Sequence, residues 1–257
     1  MLFRSKDKNS HRRDRHIKFF EVGHKYTITT DPNSKYTSVT TWIHNMFPKF
    51  DADEIINKIM SGSKWNETHK YWGMTPDEIK NSWKQNGEKV SGDGTEMHYN
   101  IECFMNNCRL CEQPYTHKDL FDDYVSNMSE DEREKLEEKD EWQHFLTFLT
   151  EHPHLRPYRT EWTVYNEDAK LAGSIDMIYE NDDGSLSIYD WKRSKEISKH
   201  GWGKFATCEE ISHIPNANYW HYSLQLNTYR RILQDKYGKT VKELFLVRLH
   251  QIGRAHV

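Results

Sequence analysis

Between residues 164 and 192 the chain reads as two strands joined by a tight turn. Residues 164–180 and 185–191 are rich in Ile, Val, Tyr and Trp, and Asn181-Asp-Asp-Gly184 between them supplies the glycine that hairpin turns favour. A three-residue loop at 182–184 sets Asn181 against Ser185 and, counting back, Asp176 against Asp190. Side chains alternate across a strand, so Asp190 and Lys192 share one face while Tyr189 and Trp191 share the other. Two facing carboxylates repel unless something positive lies between them. A divalent cation with Lys192 beside it would supply that charge, and the hairpin then becomes a hard-cation site suited to phosphate chemistry. An exposed strand with the same residues would carry only a solvated ion pair. The two readings differ in whether other groups converge on the hairpin.

Composition narrows the setting. The 257 residues include nine Trp and fourteen Tyr, enough aromatic bulk for a sizeable core. No run approaches the eighteen or more apolar residues of a membrane span, and no secretory segment follows the first residues. The expectation is a soluble intracellular protein with no membrane partner. A net charge of −4 does not mark a nucleic-acid binder, but its distribution is uneven. Residues 129–141 hold much of the acid excess and read as a solvated helix face. Near the hairpin the sign reverses, with Lys192, Arg193, Lys195, Lys199 and Lys204, then Arg230, Arg231 and Lys236. A phosphate backbone needs such a local basic surface.

Along the chain, residues 17–21 and 25–29 suggest a small hairpin about Gly23-His24. Asp51 with Glu54, and Thr75-Pro-Asp-Glu78 with Pro76 at the first helical position, are helix-start signals. Residues 61–73 are polar and irregular. Thr95 is placed to cap a helix running to about residue 107, with Met97, Ile101, Phe104 and Met105 at helical spacing. A last helix over 219–237 stops at Gly238 and carries the stripe Tyr222, Leu226, Tyr229, Leu233, Tyr237. A strand over 244–249 closes the order. The expected fold is mixed α/β: a central mixed β-sheet flanked by helices, with a hairpin and helical N-terminal subdomain over 16–92 and the core over 93–251. Residues 1–5 and 252–257 resemble in-frame translations of sequencing-adapter DNA and are expected to stand outside the fold.

Two further constellations accompany the hairpin. His98 and Glu102 are four apart on one helix face, as are Gln225 and Tyr229, the latter pair followed by Arg230 and Arg231. Tyr229 belongs to the apolar stripe, whereas Gln225 beside it needs a polar partner, for which a phosphate or a site water is the expectation.

Taken in order, Gly94-Thr95 with His98 and Glu102, then Gly173-x-x-Asp176, Asp190-x-Lys192 and Gln225-x-x-x-Tyr229 resemble the PD-(D/E)xK nuclease superfamily. Within it the pattern is similar to the RecB-like exonuclease branch, including the mitochondrial genome maintenance exonuclease and homologues in large DNA viruses. The phrases at 36–44, 71–75 and 218–229 are also similar to the viral relatives, and the resemblance spans about residues 17–251. Ile175 stands where the motif name places proline.

The resemblance implies a restriction-endonuclease-like core and one or two Mg²⁺ or Mn²⁺ ions. Asp176, Asp190 and His98 would be the ligands, with Glu102 a helper beside them, and Lys192 would orient or deprotonate the attacking water. Gln225 and Tyr229 would position water and backbone, with Arg193 and Arg230 in the basic surface around the substrate. The reaction implied is hydrolysis of DNA phosphodiester bonds, on single strands or duplex ends, by an exonuclease of recombination, repair or replication; a helicase or replication partner is not identified. An endonuclease of the same fold and an inactive nucleic-acid-binding module remain as alternatives. Cys103, Cys108 and Cys111 have ferredoxin-like spacing with Cys208 far away. Cluster-bearing relatives place three cysteines after the core instead, so no iron–sulfur cluster is expected.

Overall fold

The structure, a computed structural model, describes residues 4–106, 115–201 and 203–250. Its centre is a five-stranded mixed sheet built on the expected hairpin. Strand β5 (Leu171–Glu180) pairs antiparallel with β6 (Leu186–Lys192), Met177 opposite Tyr189 and Glu180 opposite Leu186, the register that a loop at 182–184 demands. The turn closes through Asn181 N–H to Ser185 O at 2.8 Å, with Gly184 at φ 78°. The alternation also holds: Tyr189 and Trp191 enter one core and Ile188 the other.

Residues 164–180 are not one strand. β4 (Arg156–Asn166) ends and the chain reverses into β5, because Asn166 Oδ1 accepts the N–H groups of Asp168 (2.9 Å) and Ala169 (3.1 Å), a side-chain-made turn. β4 pairs antiparallel along the whole of one edge of β5. The opposite edge is shared. β3 (Thr37–Ser38) pairs parallel with Leu171–Ala172, and β6 pairs only from Met177 onward, so residues 173–176 lie where the two neighbours part. β7 (Val241–Arg248) lies parallel to β6 and is reached through helix α8 (Asn218–Tyr237), which ends at Gly238 in the left-handed conformation at φ 62°.

Each face of the sheet buries a separate core. On one side α8 and the short α2 (Val39–His44) pack with Trp162, Val164, Ile175, Ile178 and Ile188. Leu226, Tyr229, Leu233 and Tyr237 are buried as the stripe requires, together with Gln225, while Tyr222 stays half-buried. On the other side lie the C-terminal turns of a long helix α4 (Pro76–Asn106), with α5 (His117–Asn127) and α7 (Asp140–Glu151), around Phe145, Phe148, Tyr179 and Trp191. The acidic α6 (Glu130–Glu137) buries nothing and is capped by Ser129 with Glu132.

The cap expected at Thr95 is not formed. Thr75 and Glu78 start the helix instead, and it runs unbroken through residue 95, where the Thr95 hydroxyl donates to Ser91 O at 3.0 Å. No proline interrupts residues 77–106, and the three glycines there each cost only about 1 kcal/mol. The division expected after residue 92 therefore falls inside α4, and Val39, Ile43 and Phe47 of the N-terminal segment sit in the sheet core. The small hairpin forms as β1 (Ile17–Phe20) and β2 (Lys25–Ile28), and α3 (Ala52–Met60) is capped by Asp51. Helix α1 (Arg4–Lys8) begins within the residues expected to lie outside the fold; Ser5 is buried and donates its N–H to Asn106. Cys108, Cys111 and residues 252–257 lie outside the described residues. Among the described residues no helix is long and apolar enough to cross a membrane.

Candidate active site

The gap between β3 and β6 on the edge of β5 opens into a cleft of about 600 Å³, lined by His98, Tyr99 and Glu102 of α4, Glu161, Ser174, Asp176, and Gln225 and Tyr229 of α8. The hairpin β1–β2 forms its outer wall with Phe19, Glu21, His24 and Tyr26. Gly173 is required here by space, not by its backbone angles. A Cβ at this position would lie 2.5 Å from Tyr229 Oη and 2.9 Å from its ring, so the Gly-x-x-Asp motif seats the α8 tyrosine directly beneath Asp176.

Asp176 is buried, and its Oδ2 accepts the backbone N–H of Trp191 at 2.9 Å. Burial raises its pKa, opposed by the charges of His98 and Lys192. His98 Nδ1 is 3.6 Å from Asp176 Oδ2 and 3.5 Å from Glu161 Oε1. Burial would pull the imidazole down, but Asp176 and Glu161 outweigh it and raise its pKa to about 9. Each of His98, Glu161 and Asp176 offers one ligand atom, all within 4.8 Å of one another.

Glu161 carries no helical or motif signal and was not anticipated from the sequence. It lies in β4 between Thr160, opposite Met177, and Trp162, opposite Ile175, which places it against Asp176. Its φ of 45° is left-handed, a conformation that costs a non-glycine residue about 1–2 kcal/mol. The strain turns the carboxylate into the cleft, where Ser174 donates to it at 2.8 Å. The one legible clue was the reversal at 166–171. Once β4 is folded back on β5, Glu161 must oppose Asp176.

Asp190 has other partners. Lys192 Nζ is 2.6 Å from Asp190 Oδ2, and Gln225 Nε2 donates to Oδ1 at 3.4 Å. The amide that needed a partner thus has a carboxylate. Burial pushes Asp190 up to about 6, with Lys192 pulling down and Asp176 pushing up. For Lys192 burial acts downward, and the carboxylates of Asp190 and Asp176 override it, so the ammonium is held charged. Its Nζ also sits 4.7 Å over the Tyr222 ring. Asp190 Oδ2 has no hydrogen bond of good geometry despite its burial.

The remaining expected residues lie as follows. Glu102 lines the cleft and is raised to about 6 by burial and by Glu161, but stands outside the three-residue set. Arg193 is turned away to Asp93 (3.2 Å) and Glu141 (3.5 Å), tying β6 to α4 and α7. Arg230 bonds Gln234 on the outer side of α8 and does not line the cleft.

One imidazole and several carboxylates, two of them deeply buried, form a donor set that suits a hard divalent cation bound mainly through oxygen. Burial raises the carboxyl pKa values of Asp176, Asp190 and Glu102, so a cation bound among them would be favoured by all three. Comparison with known proteins agrees with this chemistry. No curated protein and no solved structure matches the chain. The family model of the PD-(D/E)XK nuclease superfamily matches residues 86–256, a span that contains His98, Glu161, Asp176, Asp190, Lys192 and Gln225. The chain belongs to the PD-(D/E)XK nuclease superfamily.

Proposed function

We propose that the protein is a Mg²⁺- or Mn²⁺-dependent nuclease that hydrolyses DNA phosphodiester bonds, acting as an exonuclease in recombination, repair or replication. The observation that carries this reading is the convergence of His98, Glu161 and Asp176 beside the Asp190–Lys192 pair. His98, Glu161 and Asp176 would hold a cation, with Asp190 next to them. A bound cation would supply Lewis acidity, lowering the pKa of water and polarising the scissile phosphate.

The chain's own groups do the rest. Lys192, kept protonated by its carboxylates, donates to a phosphate oxygen and offsets charge that develops there in the transition state. Gln225 holds Asp190 at a fixed angle, and Trp191 N–H does the same for Asp176, so both carboxylates are positioned before substrate arrives. Buried Tyr229 supports the floor through Gly173. Superfamily membership supports DNA as substrate, and the RecB-like order of the four motifs supports the exonuclease reading.

The test is degradation of linear DNA by purified protein in Mg²⁺ or Mn²⁺, abolished by EDTA. Asp190→Ala and Lys192→Ala should each lose at least about a hundredfold in rate. Wild-type-like rates in either variant would overturn the assignment. Cutting of circular single-stranded DNA would turn it to an endonuclease.

A further inference from the structure

A second cavity, of about 680 Å³, adjoins the cleft and has no part in the reaction just described. It is lined by His44, Phe47, Lys49, Phe50, Lys204 and His221, with residues 45, 48, 55, 201 and 216 completing the wall. Among the described residues no carboxylate lines it, whereas the catalytic cleft is lined by Glu21, Glu102, Glu161 and Asp176. Glu54, the acid that senses the Lys204 charge, is already engaged by Lys58.

The position follows from α8. His221, Gln225 and Tyr229 are successive four-residue steps on one line of the helix, each rising about 6 Å. Gln225 and Tyr229 face the catalytic cleft, and His221 faces the second cavity. Helix α2 repeats the arrangement: Ser38 at its N-cap and Thr40 line the cleft, and His44 at its end lines the cavity.

Hydrogen bonds tie the walls together. Asn216 N–H donates to Lys204 O at 2.8 Å and Lys204 N–H to Gly201 O at 2.8 Å, a bend so tight that a Cβ on Gly201 would lie 2.6 Å from Asn216 N. Thr207 N–H, at 2.7 Å from Met46 O, pins this loop to the end of α2. The His221 ring lies against Phe47 at 4.0 Å, tilted by 37°, and is held by Asn216 at 2.9 Å. Phe50, by contrast, is 70 % exposed, with an apolar ring facing water at the rim.

Two exposed lysines in a cavity that no carboxylate lines among the described residues, and a largely exposed Phe50 ring with Trp83 5.9 Å away, supply the elements of a strand-binding subsite. We propose that this cavity holds the flank of a single-stranded nucleic-acid substrate, its phosphates on Lys49 and Lys204 and an unpaired base on Phe50. Bases in a duplex are stacked on each other and have no free face for Phe50, which is why the ligand is single-stranded. The inference rests on the nuclease reading and specifies its substrate.

The experiment measures binding of a fluorescein-labelled oligothymidylate of about sixteen nucleotides, in Ca²⁺, by anisotropy over a salt series. Phe50→Ala should weaken binding at least about fivefold, the loss of one stacked base. Lys49→Ala/Lys204→Ala should lower the log–log salt slope by about 1.4, two phosphate contacts at 0.7 each. Lys118→Ala/Lys135→Ala removes the same charge on α5 and α6 and is the control. In Mn²⁺ the groove variants should raise KM for the oligonucleotide and leave kcat near wild type. Variants that bind like wild type, or a loss equal on blunt duplex, would overturn the subsite while wild-type cleavage leaves the nuclease reading intact. A wild-type protein that neither binds nor cleaves the oligonucleotide but degrades linear duplex would sink the subsite alone, and one that degrades neither would sink both. Because Phe50 is exposed, its substitution does not threaten folding, and a circular-dichroism melt confirms that for the lysine pair.

Discussion

Substituting Gly173 tests how the fold seats the site. An alanine Cβ at residue 173 would lie 2.5 Å from Tyr229 Oη, 2.9 Å from Cε1 and 3.1 Å from Cζ. Nonbonded carbon atoms rest at about 3.5–4.0 Å, so the ring must move by roughly 1 Å. Tyr229 is 3 % exposed and packed among Leu226, Ile232 and Leu233, so it has little room to move. Overpacking of this kind costs about 1–3 kcal/mol. Opposing it, Gly173 has no left-handed φ, and Gly→Ala in compatible backbone stabilises by about 0.4–1 kcal/mol through the unfolded chain. The expected net loss is about 1–2 kcal/mol, read as a lower urea midpoint at unchanged m-value. Activity should fall further than stability, because moving Tyr229 moves the helix line that carries Gln225 against Asp190. In a Tyr229→Ala background the clash is gone, so Gly173→Ala should cost nothing there. A Gly173→Ala protein within about 0.5 kcal/mol of wild type, or an equal cost in both backgrounds, would refute the packing argument.

Glu161→Gln should weaken Mn²⁺ binding by more than about tenfold in calorimetry, and wild-type affinity would remove Glu161 from the ligand set. Glu161→Gly should show the same metal defect with stability unchanged or raised, because it relieves about 1–2 kcal/mol of left-handed strain. His117 has its pKa lowered to about 3 by burial, and its Nε2 lies 2.7 Å from the Tyr179 hydroxyl. Between pH 6.5 and 3 the unfolded chain binds the extra proton, so stability is full above 6.5 and declines as pH falls, by about 2 kcal/mol at pH 5. Denaturant titrations of wild type and His117→Phe should diverge in this window, and parallel curves would count against a neutral buried imidazole. His98 carries its proton up to a pKa of about 9, and metal must displace that proton, so Mn²⁺ affinity should rise with pH from 7 to 9 and the rise should vanish in His98→Ala.

What the sequence disclosed was what local periodicity encodes. Loop length fixed the hairpin register, and alternation put Asp190 with Lys192 and Trp191 on the opposite face. Glycine at 238 marked the end of α8. Tertiary pairing hid the rest. Glu161 sits in an unremarkable β-type run, and its positive φ is imposed by the cleft rather than by any neighbour in sequence. Thr95 looks like a cap, yet a helix begun at Thr75 reaches it already formed, so its hydroxyl bonds back to Ser91 instead. Arg193 reads as part of a basic surface, but Asp93 and Glu141 come from two distant helices to claim it. Composition counts charges, and only the fold decides which of them are spent on each other.

The location of the site has a structural cause that applies to the whole sheet. A strand flanked on both sides has its backbone groups committed to ladders. At residues 173–176 β5 loses its neighbour on one edge, because β3 has ended and β6 has not begun. The open edge must be filled, and it is filled by functional groups: the Tyr229 ring against Gly173, and the Asp176 carboxylate on the N–H of Trp191. On the other edge the strained Glu161 interrupts β4 at the same level. Three carboxylates, Glu161, Asp176 and Asp190, are thereby concentrated around two cations, His98 and Lys192. Burial holds Asp176 and Asp190 above their usual pKa values, with His98 and Lys192 pulling them down, while Asp176 and Glu161 hold His98 above its own. A divalent cation would relieve the repulsion while taking the place of the His98 proton. The split in the sheet therefore opens the cleft, and the charge gathered in it sets what can enter.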